Sequence, residues 1–545
     1  MWMPAMLVDR NFSEVLRVTN RKQYIFSFFA TIALMAITSA WIARGVFRLN
    51  YLQMDMDEAV HANRGLDFTS SVQRNDWQDL WGDFIKPHWY PPGNGILLGS
   101  WFLFAGASLE TARLYSTLFY FSFGILLWFS IRELIPSANP FLYLIPPLLL
   151  LSDAQHAVYA ALSMLELPAI TLAFAALLFL NRAWRNKSLN YHTLAFFFGL
   201  LCLFTKYNYG LVVLVVFAIC YAAMFWQRVR SRQTSRDVRC ILMNWIVYSL
   251  IIGIWFLGLG EWRWLFDYAN AQPDRYSIWE LSNLLYYPRL VWNNPIAMLA
   301  VLLSIAGWIQ LSKQRRYLLG LTPYLLFFSI SLVMLTVELQ NSPRFGMILF
   351  PSLWITAGVG AYLLVADLNH QWMRKASYLG LLSVLILASA GNFRLFMSRL
   401  FAEHENANPG VNQAYNFVST VLDIPTKNGS ALVMIGRTDQ WNGPAMRFHL
   451  ESQCLLAGKD CEINVRDTWE LRKGWPTQEL PEEVRRQRLD TALEEADYLV
   501  NFFEHPERPA GWVLISERQF TFERLHKKPA IIWVSVYKHG SSASP

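Results

Sequence analysis

The stretch YHTLAFFFGLLCLFTKYNYGLVVLVVFAICYAAMFW, Tyr191 to Trp226, decides the fold. It is 36 residues long, almost wholly apolar, and broken by a single charged side chain, Lys206. One crossing of a hydrocarbon core about 30 Å thick needs roughly 20 apolar residues as a helix. Two crossings fit here only if the turn that carries Lys206 lies below the membrane surface. An ammonium at that depth is costly without a partner. A structural partner is at hand in Glu166 or in an acidic residue of the outer loop described below.

The rest of the chain repeats this pattern. Of 545 residues 54% are hydrophobic and only 16% are charged, against roughly 25% charged in an average soluble domain. The apolar residues gather in blocks, which excludes disorder, a collagen-like chain and a disulfide-rich secreted scaffold. Eleven spans are expected, at 24–43, 111–131, 139–156, 166–181, 191–205, 208–226, 241–258, 293–311, 318–337, 346–366 and 377–394. The first has an apolar run of about 20 residues, longer than the ~7–15 of a cleaved signal peptide, and is read as an uncleaved anchor.

The net charge of +7 is unevenly held. Residues 1–399 carry 31 Lys and Arg against 20 Asp and Glu, whereas residues 400–545 carry 16 against 20. The basic excess sits between spans, so it reads as topology and not as a nucleic-acid footprint. With a cytoplasmic N-terminus, 18 cations fall in inner connections, among them Arg228, Arg230, Arg232, Arg236 and Arg239. The short outer loops then offer only Lys206, Arg263, Arg275, Arg289 and Arg344. The chain is therefore expected to be a multi-pass protein of the inner (plasma) membrane with its C-terminal domain outside.

Two outer segments exceed simple connections. The loop from Arg44 to Glu110 mixes acids, Trp and Pro with a short apolar run, Ile96 to Phe104, expected to lie in the membrane interface. In the tail after residue 399 the apolar runs shrink to strand length, Ser430 to Gly436 and Ala530 to Val536. A charged helix, Arg485 to Ala496, leads into a further strand, Asp497 to Phe502. The expected fold class is thus an α-helical polytopic membrane protein with a C-terminal extracytoplasmic α/β domain, divided at 1–398 and 399–545. Cys454 and Cys461 both fall in that outer domain, where a disulfide is compatible with an oxidising compartment.

The densest polar cluster follows the first span: Asp55-Met56-Asp57-Glu58-Ala59-Val60-His61. It reads either as a solvated acidic loop or as a source of a general base, because like charges at a low-dielectric boundary raise a carboxylate pKa. Carboxylate oxygens also suit Mg2+ or Mn2+, so the loop is a candidate site for a divalent metal. Further on, the prolines of Lys86-Pro87-His88-Trp89-Tyr90-Pro91-Pro92 hold the backbone extended and fix where Lys86 and His88 point.

Taken in order, these motifs resemble the multispanning GT-C glycosyltransferases, the group of the protein O-mannosyltransferases and the lipid A aminoarabinose transferase. The likeness rests on Asp57-Glu58-Ala59 after a first span, a Pro-Pro segment, and Ala112-Arg113-Leu114 opening an apolar run. It continues in Met164-Leu165-Glu166-Leu167-Pro168, Phe204-Thr205-Lys206 and Pro343-Arg344-Phe345. Phe204 and Phe345 stand where Leu and Tyr are common, and His88-Trp89-Tyr90 separates Lys86-Pro87 from Pro91-Pro92.

The resemblance implies a sugar donor linked to a polyprenyl phosphate and transfer on the outer face to a lipid, glycan or protein acceptor. It implies Asp57 as general base, with Asp55 and Glu58 beside it. Lys206, Arg344 and Lys86 would bind the donor phosphate, and His61, His88, Glu166 and Tyr207 would contact substrate. Attack from the face opposite the phosphate would invert the anomeric carbon. Such a leaving group requires no cofactor, and no nucleic-acid partner is expected. The rival reading is a transporter or flippase for a lipid-linked or anionic substrate with an outer binding domain; no inverted repeat supports it.

Overall fold

The computed structural model describes residues 21–48, 54, 56–85, 90–136, 138–186, 189–230, 235–260, 280–311, 315–338, 342–366, 368–405, 409–422, 430–436, 441–459, 463–468, 471, 480–503, 509–524 and 527–540. Asp55, Lys86, His88 and Cys461 lie outside them; Cys454 is disulfide-bonded.

Eight of the described helices are long and apolar enough to cross a membrane: Lys22–Phe47, Leu109–Leu134, Glu166–Arg185, Tyr207–Gln227, Ile241–Gly258, Gly320–Val337, Pro343–Ala366 and Gln371–Asn392. This is an integral, multi-pass membrane protein. The helices Glu166–Arg185 and Pro343–Ala366 are the most enclosed, whereas Lys22–Phe47 turns Phe26, Phe29 and Ile37 outward, as lipid contact demands.

Three of the eleven expected spans take another form. The segment 139–156 is a bent pair, Pro140–Leu151 and Ala154–Ala160, meeting at 71°. The segment 293–311 belongs to a second pair, Tyr286–Trp292 and Pro295–Gly307, meeting at 98°. Each break has a cap. Asp153 Oδ1 accepts from Gln155 N at 3.2 Å, and Asn294 Oδ1 accepts from Ile296 N at 3.0 Å. A short polar side chain that satisfies the next backbone N–H groups starts a new helix instead of continuing the old one. The third, Leu189–Thr205, is a single helix of 17 residues, short for a span.

Glycine makes the Lys206 turn. The helix Leu189–Thr205 and the helix Tyr207–Arg230 are separated by Lys206 alone. Lys206 N donates to Cys202 O at 2.9 Å, closing the first helix, and Lys206 O accepts from Gly210 N at 3.0 Å, opening the second. A Cβ at Gly210 would lie 2.2 Å from Leu203 Cα, so only glycine allows so tight a return.

Outside the spans, the helix Met56–Arg74 packs along the helix Gly93–Ala105, which contains the expected interfacial run. That run has a buried side: Leu98 and Phe102 join a core with Leu66 and Phe448, while Phe104 is 90% exposed.

The last membrane helix belongs to a longer one, Gln371–Glu405, after which helix Pro409–Leu422 leads into a mixed sheet. Its strands are β1 (Ser430–Ile435), β2 (Ile463–Asp467), β3 (Tyr498–Phe503), β4 (Trp512–Arg524) and β5 (Lys527–His539), in the order β2-β1-β3-β5-β4. β1 runs parallel to β2 and β3, and β5 runs antiparallel to β3 and β4. Alternation along β1 places Leu432 and Met434 on one face and Val433 on the other. The first face is covered by Pro409–Leu422 and by helix Gly443–Leu456, and it shares a single core with Met54, Ala59, Ala62 and Leu66 of the segment between the first two membrane helices. Asn63 Nδ2 donates to Pro444 O at 2.9 Å across the same junction. The sheet domain is thereby packed onto the helix that begins at the acidic cluster.

Candidate functional site

Four charged side chains from four distant segments meet at one point. Asp57 lies in the first turn of Met56–Arg74, and Glu166 begins the helix Glu166–Asn186, positions where the helix dipole favours acids. Lys206 fills the one-residue turn, and Arg344 lies in the short helix Pro343–Gly346. Lys206 Nζ lies 2.8 Å from Glu166 Oε1, and Arg344 Nε lies 2.6 Å from the same oxygen. Arg344 Nη1 reaches Asp57 Oδ2 at 2.6 Å. Glu166 is fully buried, whereas the Asp57 side chain is 42% exposed, so the chain of pairs runs from the interior to an open edge.

Aromatic rings wall the cations. Lys206 Nζ lies 4.5 Å from the centre of the Tyr209 ring and 5.0 Å from that of Phe345. The other Glu166 oxygen, Oε2, has no hydrogen-bond partner among the described residues, and neither has the buried hydroxyl of Tyr209. His61, one turn beyond Asp57, packs edge-on against Tyr90 at 4.4 Å, and its Nε2 has no hydrogen-bond partner among the described residues. Burial pushes its imidazole down to about 4, so the ring is neutral near pH 7.

The sequence-derived candidates divide. Asp57, Glu166, Lys206 and Arg344 come together, with His61 alongside. Glu58 is drawn into a different pair: Arg113 Nε and Nη2 bind its two oxygens at 3.2 and 3.0 Å, and Ser163 N donates to Oε1 at 2.8 Å. Both members are about 2% exposed. Tyr207 is buried with its hydroxyl accepting from Trp255 Nε1 at 3.0 Å, and Tyr209 takes the place beside the ammonium. The i,i+3 spacing from Lys206 is the signal that could have found Tyr209. The sequence alone assigns no role to Arg113 or to the buried Asp153–His156 pair at the helix break.

Removing one member of a buried pair costs about 3–5 kcal/mol, because the other is left charged and uncompensated. Arg113→Met is therefore expected to lower the melting temperature of the detergent-solubilised protein sharply. The double variant Glu58→Gln/Arg113→Met should recover most of that loss. A single variant as stable as the parent would show that the pair does not hold the helix Met56–Arg74 in place.

Among the described residues no cluster of three or more His, Cys, Asp or Glu could hold a metal ion. The described carboxylates of the site, Asp57 and Glu166, are already neutralised by Arg344 and Lys206.

No protein-family model matches the sequence, and no curated protein sequence matches it. Solved structures do match. ArnT from Cupriavidus metallidurans in the apo state superposes with a TM-score of 0.56 at 12% identity, over 94% of this chain and 99% of that one. The same protein bound to undecaprenyl phosphate gives 0.54 at 13% identity, over 92% and 97%. The Archaeoglobus fulgidus oligosaccharyltransferase gives 0.53 at 10% identity, over 87% of this chain and 69% of that one. The chain shares its fold with these solved structures. ArnT matches over nearly its whole length. The GT-C expectation drawn from the order of the short motifs thus agrees with the fold.

Proposed function

We propose that the chain is a glycosyltransferase that moves a sugar from a polyprenyl-phosphate donor to an acceptor hydroxyl on the outer face of the membrane. The observation that carries this reading is the convergence of Asp57, Glu166, Lys206 and Arg344, with a carboxylate at the open edge and two cations behind it. Asp57 takes the proton of the acceptor hydroxyl as its oxygen attacks the anomeric carbon. The bond from that carbon to the phosphate oxygen breaks, and its electron pair leaves with the lipid phosphate. Lys206 and Arg344 stabilise the charge gathering there. Attack opposite the leaving group inverts the anomeric centre. Glu166 holds both cations in place, and no step requires a metal. ArnT, bound to undecaprenyl phosphate, and the archaeal oligosaccharyltransferase, with a dolichol phosphate, support a lipid-phosphate donor.

The test is turnover by the purified full-length protein of undecaprenyl-phosphate-linked hexoses and pentoses, read as release of undecaprenyl phosphate. Release that depends on Asp57 and on an added hydroxyl acceptor is expected. Folded protein that turns over none of them overturns the reading.

The same reading places the N-terminus in the cytoplasm and the sheet domain, residues 399–545, outside an inner (plasma) membrane. The excess of Lys and Arg in the inner connections supports it. In intact cells an impermeant thiol reagent should label Glu482→Cys and not Gln371→Cys, both exposed positions. The opposite pattern reverses the orientation.

A further inference from the structure

A cleft of about 1100 Å3 opens between the outer-loop helices and the sheet domain. One wall is a face of Met56–Arg74 that includes Val60, Asn63, Arg64 and Asp67; the other is formed by Gly443–Leu456, β2 and helix Glu482–Glu495. It is distinct from the Lys206 and Arg344 cluster, neither of which lines it.

Among the described residues that line it, cations outnumber carboxylates. Arg64, Arg74, Arg447, Lys459, Arg466 and Arg488 face Asp67, Asp79 and Glu451. All three carboxylates are engaged. Arg447 binds Asp67 of the opposite wall and Glu451 at 3.0 Å, and Arg74 binds Asp79 at 3.3 Å. Glu451 Oε1 also accepts from Ile463 N at 3.0 Å, which fixes that corner to β2. Arg466 reaches Glu495 at 3.2 Å, a carboxylate outside the lining. Residues 400–545 carry more acids than bases, so a cationic wall on this domain runs against its own composition.

The cleft begins one helical turn from Asp57, which does not itself line it. Val60 and Arg64 follow Asp57 by three and seven residues, one face of a helix that rises about 1.5 Å per residue. Tyr90, whose ring packs on His61 and whose carbonyl accepts from Arg64, lines the cleft at that end. A chain lying in it would present a hydroxyl to Asp57 while the rest lay among guanidinium groups, whose planar forks match carboxylate and phosphate oxygens.

We propose that this cleft binds the acceptor and selects an anionic saccharide, free or carried on a lipid. The proposal rests on the transferase reading for its role and on the cleft alone for its chemistry. The probe is trigalacturonate, with its neutral trimethyl ester as the control. Each is titrated calorimetrically, with no donor present, into the full-length protein in nanodiscs of zwitterionic lipid. The charged form is expected to bind on the order of tenfold more tightly, with a preference that shrinks as salt is raised. Arg466→Gln/Arg488→Gln should abolish the preference, and Lys206→Met should leave it intact. A second arm carries the same trisaccharides on a diacyl lipid in the nanodisc. A preference in that arm only assigns the lipid-linked source, and one in the soluble arm assigns a free glycan. Equal affinity for the two forms, no binding in either arm, or a preference lost in Lys206→Met but kept in the double variant overturns the proposal. Because binding is read without turnover, its failure is separate from a failure of sugar transfer.

Discussion

Asp57→Asn is expected to abolish sugar transfer while the protein still folds and still binds donor. The substitution keeps the shape of the side chain and removes its capacity to take a proton. Loss of a general base typically costs ~10²–10⁴-fold in rate. Asp57 is the described acidic residue at the open edge of the cluster, and one of its oxygens is held by Arg344 at 2.6 Å, which aims the other. The fold does not depend on that contact, because Arg344 keeps its bond to the buried Glu166 at 2.6 Å. Donor affinity should therefore change little. The measurement is single-turnover transfer beside donor binding. If Asp57→Asn keeps more than about half of its activity while Asp55→Asn loses it, the base is Asp55.

Much of this arrangement was legible in the sequence, for a physical reason. A charge beside an apolar span is expensive, so Asp57, Glu166, Lys206 and Arg344 stood out against their surroundings without any knowledge of what they touch. The spans were legible because length and apolarity are fixed by bilayer thickness. The bends were not. Asp153 and Asn294 differ from any other polar residue in an apolar run only once their side chains are seen to cap the next helix. Pairing was equally hidden. Glu58 and Asp57 are neighbours in sequence, yet helical geometry sends one to Arg113 and the other to Arg344. In the sheet domain the interior runs of β1, β3 and β5 read as strands. The outer strands β2 and β4 did not: β2 is only five residues long, and β4 carries Glu517 and Arg518 on the sheet edge. Cation excess in the cleft was not legible, because it is assembled from residues about 400 positions apart.

Lys206→Met should weaken donor binding and transfer with only a modest fall in melting temperature, whereas Glu166→Gln should destabilise the protein severely. The asymmetry follows from the geometry. Without Lys206, Glu166 remains neutralised by Arg344 at 2.6 Å. Without the Glu166 charge, Lys206 loses its 2.8 Å bond and Arg344 its 2.6 Å bond to that carboxylate, so two cations at a buried point lose the counter-charge they share. Such a loss is worth about 3–5 kcal/mol. Combining the two changes removes Lys206 together with its partner and should restore part of that loss, the remainder belonging to Arg344. The cycle is read twice, by melting temperature and by affinity for an undecaprenyl-phosphate sugar. A phosphate that bonds Lys206 predicts weaker donor affinity in Lys206→Met whether or not Glu166 is present. A purely structural lysine predicts strong coupling in stability and an unchanged donor affinity, and that outcome would remove Lys206 from the donor site.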